Sequence, residues 1–215
     1  MKNVENQKYL VTISGLKLLM HNGQLSDPLN AYAKSMKEIS KKVSKTDADH
    51  AELKRREFIG SLYFDSDDPK AKPAHKGMGP FIPRDWLEAM LIEGARKKRK
   101  GKDFESSIFV VDEQYPLEYD GPRDMESLST DPKFRLEKRI VVGKGKSVIR
   151  TRPLFRNWRV TFEVEFPAEF INASDVEEAI TAAGHLVGLG DWRPRYGRFT
   201  NDVFELVRMP KPKAA

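Results

Sequence analysis

The densest chemistry in the sequence lies in one stretch, Gly188-Leu-Gly-Asp-Trp-Arg-Pro-Arg-Tyr-Gly-Arg-Phe199. Arg193, Arg195 and Arg198 carry planar guanidinium forks that match the oxygens of a phosphate. Trp192, Tyr196 and Phe199 supply flat faces on which a nucleobase can stack. Gly188, Gly190 and Gly197 have no Cβ, so the main chain can turn sharply or come close to a ligand. A plainer reading competes with this one: a helix cap, a turn and an aromatic plug, with arginines left in solvent.

A second basic region runs from Arg135 to Arg159, with nine Lys or Arg against one Glu. Lys144 and Lys146 sit at the turn of an expected hairpin, and Arg150, Arg152 and Arg156 follow. Strand alternation places those three arginines on a common face, beside Phe155 and Trp158, as phosphate contacts would require. The run Arg96-Lys-Lys-Arg-Lys100 differs: cations are favoured at the negative end of a helix dipole, so a solvated helix end accounts for it.

Catalytic chemistry is thinner. His21, in a turn, is the candidate general base. His50, His75 and His185 stand in exposed or helix-end contexts with nothing marking them as ligands. Asp65-Ser-Asp-Asp68 lacks the spacing and glycine of a calcium loop. Asp120 and Asp124 flank Gly121-Pro-Arg123 and offer carboxylates beside a bound backbone. Gly143-Lys-Gly-Lys-Ser147 ends like a phosphate-binding P-loop, but Ile140 occupies the place of its first glycine. Gly188-Leu-Gly190 begins like a dinucleotide fingerprint, but Arg193 stands where the third glycine belongs. Nucleotide hydrolysis and a nicotinamide are therefore unsupported, and no cofactor or metal is expected.

Composition narrows the classes further. The 215 residues include no cysteine, which excludes disulfides, thiolate zinc sites and cysteine nucleophiles. No window reaches the roughly 18 to 20 apolar residues of a membrane span. The opening MKNVENQKYL lacks the apolar core of a secretory signal, so a cytoplasmic protein is expected. A net charge of +6 and a pI near 9.3 permit a polyanionic partner without demanding one.

The elements that must hold these groups follow from pattern. Strands are expected at Lys8–Ser14, Ser107–Val111, Trp158–Phe166 and Arg198–Val207, with a further apolar run at Leu16–Met20 after Gly15. Helices are expected from Ser26-Asp27-Pro28 to Val43, from Ala48 to Phe64, from Arg84 to Lys100 with Gly101 as a stop, and from Ser174 to Val187. A loop fills Asp65–Pro80, a basic hairpin pairs Arg139–Val142 with Ser147–Arg150, and the tail from Pro210 frays. Two insertions stand out, a helical one at about 22–80 and a basic hairpin-bearing one at about 112–155. Setting them aside leaves β-α-β-β-α-β within one domain, 1–215. The expected class is α+β, ferredoxin-like, with two helices on one face of an antiparallel sheet. The helical insertion carries apolar positions of its own, so it must dock on its own domain, a neighbouring copy or a partner.

Three segments together resemble the RAMP superfamily, which includes backbone and guide-RNA-processing subunits of CRISPR effector complexes. One is the helix, the Gly/Arg-rich loop 188–199 and the terminal strand. Another is Leu16-Lys-Leu-Leu-Met-His-Asn-Gly23, similar to the family's first strand and its histidine-bearing turn. The last is Phe81-Ile-Pro-Arg-Asp-Trp-Leu-Glu-Ala-Met-Leu91, where Arg84 and Ala89 replace the family's usual glycines. The chain also resembles uncharacterised proteins of tailed phages. Non-catalytic binding is expected: the resemblance implies a fold that binds single-stranded nucleic acid, RNA or DNA, with self-association or a place in a larger assembly, and does not by itself imply catalysis. It leaves open a metal-independent endoribonuclease using His21, and an interaction subunit whose basic surface meets an acidic protein or a phage particle.

Overall fold

A computed structural model describes residues 6–66, 79–142 and 145–207. Its axis is a pair of long antiparallel strands, β1 (Asn6–Leu19) and β6 (Lys146–Pro167). Residues 154–167 of β6 pair with β1, and residues 146–153 pair with β5 (Arg135–Val142). β7 (Thr200–Leu206) lies on the other side of β1, and β3 (Phe109–Val110) on the far side of β6. All of these pairings are antiparallel. A separate two-stranded sheet joins β2 (Phe81–Pro83) to β4 (Gln114–Pro116).

Alternation along β6 divides the sheet into two unlike faces. Trp158, Val160, Phe162, Val164 and Phe166 are buried, and they share one apolar core with Val11 and Ile13 of β1. α3 (Arg84–Lys97) and α6 (Ala173–Leu186) complete that core through Leu87, Met90, Leu91, Val176, Ile180 and Ala183. The two helices touch closely: a Cβ on Gly94 would fall 2.9 Å from the Ala183 methyl. The opposite face carries Lys8 between Glu163 and Glu165, both at 3.1 Å, and the hydroxyl pair Thr12–Thr161 at 3.0 Å. That face is polar and rich in carboxylates, not basic and aromatic.

Several element boundaries differ from expectation for identifiable reasons. β1 runs unbroken through Gly15, because a side chain there would collide with the Trp158 indole and the Arg198 carbonyl; the glycine is a packing gap, not a stop. The Ser26-Asp27-Pro28 start is displaced: Asp27 spends its carboxylate on the Leu29 N–H at 2.8 Å, closing a turn. Asn30 instead caps α1 (Ala31–Ser40), accepting from the Tyr32 and Ala33 N–H groups. α2 (Asp47–Gly60) opens with a reciprocal Thr46–Asp49 capping box. Gly101 begins α4 (Gly101–Ser107), after the chain turns at Arg99 with φ 63°. Asn172, not Ser174, caps α6, accepting from Asp175 N–H at 2.8 Å. α5 (Met125–Thr130) lies where the sequence pattern marks no helix.

The helical insertion docks on its own domain. Phe58, Ile59 and Leu62 enter the common core, each such burial contributing about 1.5–3 kcal/mol. Lys54 and Arg55 of α2 reach Glu137 and Glu126 across the interface. Among the described residues no helix is long and apolar enough to cross a membrane.

Candidate functional site

β7 pairs with β1 only as far as Ser14, opposite Thr200. Beyond that point β1 would expose an unsatisfied edge, and the glycine-rich loop takes the vacated place. Gly197 N–H donates to Lys17 O at 2.7 Å, and Asp191 N–H donates to Leu19 O at 2.9 Å. Leu189, fully buried, donates its N–H to Gly197 O at 2.8 Å and closes the base of the loop. Gly188 follows α6 with φ 81° and donates to Ala183 O, the left-handed residue that ends a helix.

Gly190 and Gly197 also have positive φ, 83° and 76°. A Cβ on Gly190 would strike Leu19 O, and one on Gly197 would strike the Leu189 backbone. The space these glycines free is filled by the protein's own main chain. Their primary role is to seat the loop on β1. Phe199 is likewise inside, only 5 % exposed and edge-on to Trp158 at 6.3 Å, so it is a core plug and not a stacking platform.

What the seated loop presents to solvent is its tip. Arg193 and Arg195 are exposed and make no hydrogen bond or ion pair with the described residues. Arg198 is exposed and donates from Nε to Pro194 O at 3.2 Å. Trp192 is half-buried beside Tyr196, with ring centroids 6.2 Å apart. The Lys138 ammonium of β5 lies 5.4 Å over the Trp192 ring. Loop and basic hairpin are therefore neighbours. On the hairpin, Lys138 is directly opposite Arg150, so both project from one face.

Arg152 belongs to a different environment. It is 7 % exposed, with Nη1 on Glu57 at 2.9 Å and Nε on Asp191 at 3.0 Å. Glu57 also accepts from the Thr151 N–H at 3.0 Å and from Arg150 at 3.3 Å. This buried network ties α2, β6 and the loop together and engages the Arg152 guanidinium through Nε and Nη1. Arg150 contributes one nitrogen to it yet remains about 43 % exposed at its side chain. Arg156 is exposed and donates to Lys133 O in the 3-10 turn Pro132–Phe134. Lys144 lies outside the described residues, and Lys146 is described only as the first residue of β6.

His21 stands against this network. Its Nδ1 lies 3.4 Å from Ser61 Oγ, which donates to Glu57 O at 2.6 Å. That arrangement favours the proton on Nδ1 and leaves Nε2 as an acceptor. Burial first, and the Arg152 charge second, hold the imidazole below its ordinary value of 6.5. It is neutral at physiological pH.

The other candidates separate from the site. Asp124 caps α5 through the Ser127 N–H at 2.8 Å, and Asp120 is exposed. Arg123 packs over the Tyr119 ring at 4.1 Å and donates to Tyr119 O at 2.9 Å, so this turn is held by its own contacts. His50 is exposed on α2, while His75 and Asp67-Asp68 lie outside the described residues. Among the described residues no three metal-ligating side chains converge. The network partners Glu57 and Asp191 were not marked by local sequence; their meeting depends on contacts 95 and 39 residues apart in the chain. No family model and no curated protein matches this chain.

Proposed function

We propose that this protein binds single-stranded nucleic acid without cutting it, using the exposed tip of the glycine-rich loop and the adjoining face of the basic hairpin. The observation that carries this reading is the pair Arg193 and Arg195, exposed and without a hydrogen bond or ion pair among the described residues, on the same loop tip as Trp192, whose ring lies under Lys138 of the hairpin. Free guanidinium groups hold phosphates, and the indole and phenol faces accept bases. The carboxylate-rich open face of the sheet repels a polyanion, so the strand passes the loop end instead.

The fold supports the same reading. We place the chain in the ferredoxin-like class: taking β1, α3, β3, β6, α6 and β7 as the unit, the strand order is second, third, first, fourth. Together with the loop after α6, that order is what a RAMP-like subunit would have. Fluorescence anisotropy with a labelled single-stranded RNA and its DNA counterpart tests the proposal. Wild type should bind at least one of them, and the Arg193→Ala/Arg195→Ala double variant should bind several-fold more weakly while melting at the same temperature. The same RNA should stay intact on prolonged incubation. Cleavage abolished by His21→Ala would replace this reading with that of an endoribonuclease.

A further inference from the structure

Where β7 leaves β1, an open cleft of about 760 Å³ lies between the two long strands and the C-terminal part of the loop. Arg195 lines it, so the cleft adjoins the loop tip. Leu16, Lys17, Arg159 and Arg198 also line it, and no carboxylate does. Its floor at Gly15 is closed, since a Cβ there would collide with the Arg198 carbonyl and stand 2.8 Å from the Trp158 indole nitrogen. A ligand therefore lies along the rim of the cleft and not beneath β1.

The strand side of the rim is unusual in two ways. Lys17 stands directly opposite Arg156 in the β1–β6 register, and like charges so placed repel each other. Neither has a carboxylate partner among the described residues: Lys17 makes no side-chain hydrogen bond or ion pair, and Arg156 donates to the Lys133 carbonyl. The pairing also skips Leu16 and Asn157, between Gly15–Trp158 and Lys17–Arg156. Asn157 there is left-handed, with φ 49°, and Leu16 is 76 % exposed. On the loop side, Arg195 has no partner among the described residues, and Arg198 is exposed with one bond, from Nε to Pro194 O. Arg159 reaches Asp202 at 3.7 Å and is the least available of the cations.

Cations gathered without an acid among them are relieved by a shared anion. An acidic side chain would answer the charges and leave Leu16 in water, whereas a nucleotide brings a phosphate and an apolar ring face together. We infer that the strand bound at the loop tip continues over the loop into this cleft, with backbone phosphates on Lys17, Arg195 and Arg198 and a base or sugar against Leu16. The inference rests on the function proposed above and extends its footprint from the hairpin side of the loop to the β1 side.

Because the chain has no cysteine, Leu16→Cys offers a single thiol for a benzophenone photo-crosslinker, with exposed Leu29→Cys on the helical insertion as the control. The probes are labelled oligouridylate and oligothymidylate. The inference predicts that the label at position 16 crosslinks the probe that binds and that the label at position 29 does not. It also predicts that Lys17→Ala/Arg198→Ala weakens binding about fivefold or more and makes the salt slope shallower by roughly 0.7 to 1.4, with unfolding unchanged. Two results overturn the cleft and leave the proposed function standing, provided Arg193→Ala/Arg195→Ala still weakens binding. One is no crosslink at position 16; the other is a Lys17→Ala/Arg198→Ala variant with wild-type affinity and slope. Failure of wild type to bind either probe overturns both proposals. Should the double variant fold poorly, the crosslink, made with Lys17 and Arg198 intact, decides.

Discussion

Arg152 and the pair Arg193–Arg195 are the same residue type, about 40 positions apart in a basic sequence, and they do opposite work. Arg152 is enclosed by Glu57 and Asp191 and holds the insertion, the long strand and the loop in one piece. Arg193 and Arg195 are exposed and make no hydrogen bond or ion pair with the described residues. The difference teaches that a basic cluster is not one kind of thing. A guanidinium whose fork is filled by carboxylates is architecture, and one with an empty fork is available to an anion. The glycines divide the same way, since Gly190 and Gly197 serve the backbone of their own protein before any ligand.

The largest effect that can break this comparison is on stability. Arg152→Ala leaves buried Glu57 with only the part-exposed Arg150 and the Thr151 N–H as partners, and should cost up to about 3–5 kcal/mol in urea unfolding. Replacing Arg152 and Glu57 together by Met and Leu should cost less, because the buried carboxylate leaves with its partner and only the part-exposed Asp191 loses an ion pair. If Arg152→Ala unfolds like wild type and instead loses oligonucleotide affinity, the division into structural and available arginines is mistaken.

A smaller effect is expected at the loop tip, on binding alone. Trp192→Ala should weaken oligonucleotide affinity by roughly 1–3 kcal/mol if a base stacks there. The salt dependence should be unchanged, because no charge is removed. A simultaneous fall in affinity and in salt slope would mean that Trp192 acts by positioning Lys138, which lies over its ring.

The smallest effect belongs to His21. Its folded-state value lies below the ordinary 6.5, so the unfolded chain binds the proton first as pH falls. Between pH 6.5 and the lower folded value, unfolding takes up a proton, and stability must decline with falling pH. His21→Gln should remove that component, so the difference between wild type and variant should be flat above neutrality and shrink below pH 6.5. A difference that is constant across this range would show that the imidazole is not shielded by its surroundings.

Much of this frame is legible in the sequence, and the exceptions have physical causes. Trp158 to Phe166 alternates apolar and polar residues, and the structure buries its apolar set. The helix Arg84–Lys97 is legible from its buried face and α6 from its Ser174-Asp-Val-Glu177 start, although the cap itself is Asn172. Gly15 and Gly101 mislead because a glycine marks either a break or a close approach, and only the neighbour across the gap decides which. The exposed tip of the loop is legible too, from Arg193-Pro-Arg195. The fate of Arg152 is not, because its partners come from α2 and from the loop, distant in sequence. Phe199 looks like Trp192 on paper, yet the start of β7 turns it inward.

The central claim is that exposed arginines on the loop, unpaired among the described residues, meet the phosphates of a single strand. Its most direct measurement is the affinity for a short single-stranded oligonucleotide as a function of salt, for wild type and for Arg193→Ala/Arg195→Ala. For wild type, log affinity should fall linearly with log salt, with a slope of about −0.7 per phosphate contact. In the double variant the slope should become shallower by roughly 0.7 to 1.4, one or two contacts, with unfolding unchanged. A wild-type affinity that does not vary with salt, or a variant whose slope equals that of wild type, would contradict the account.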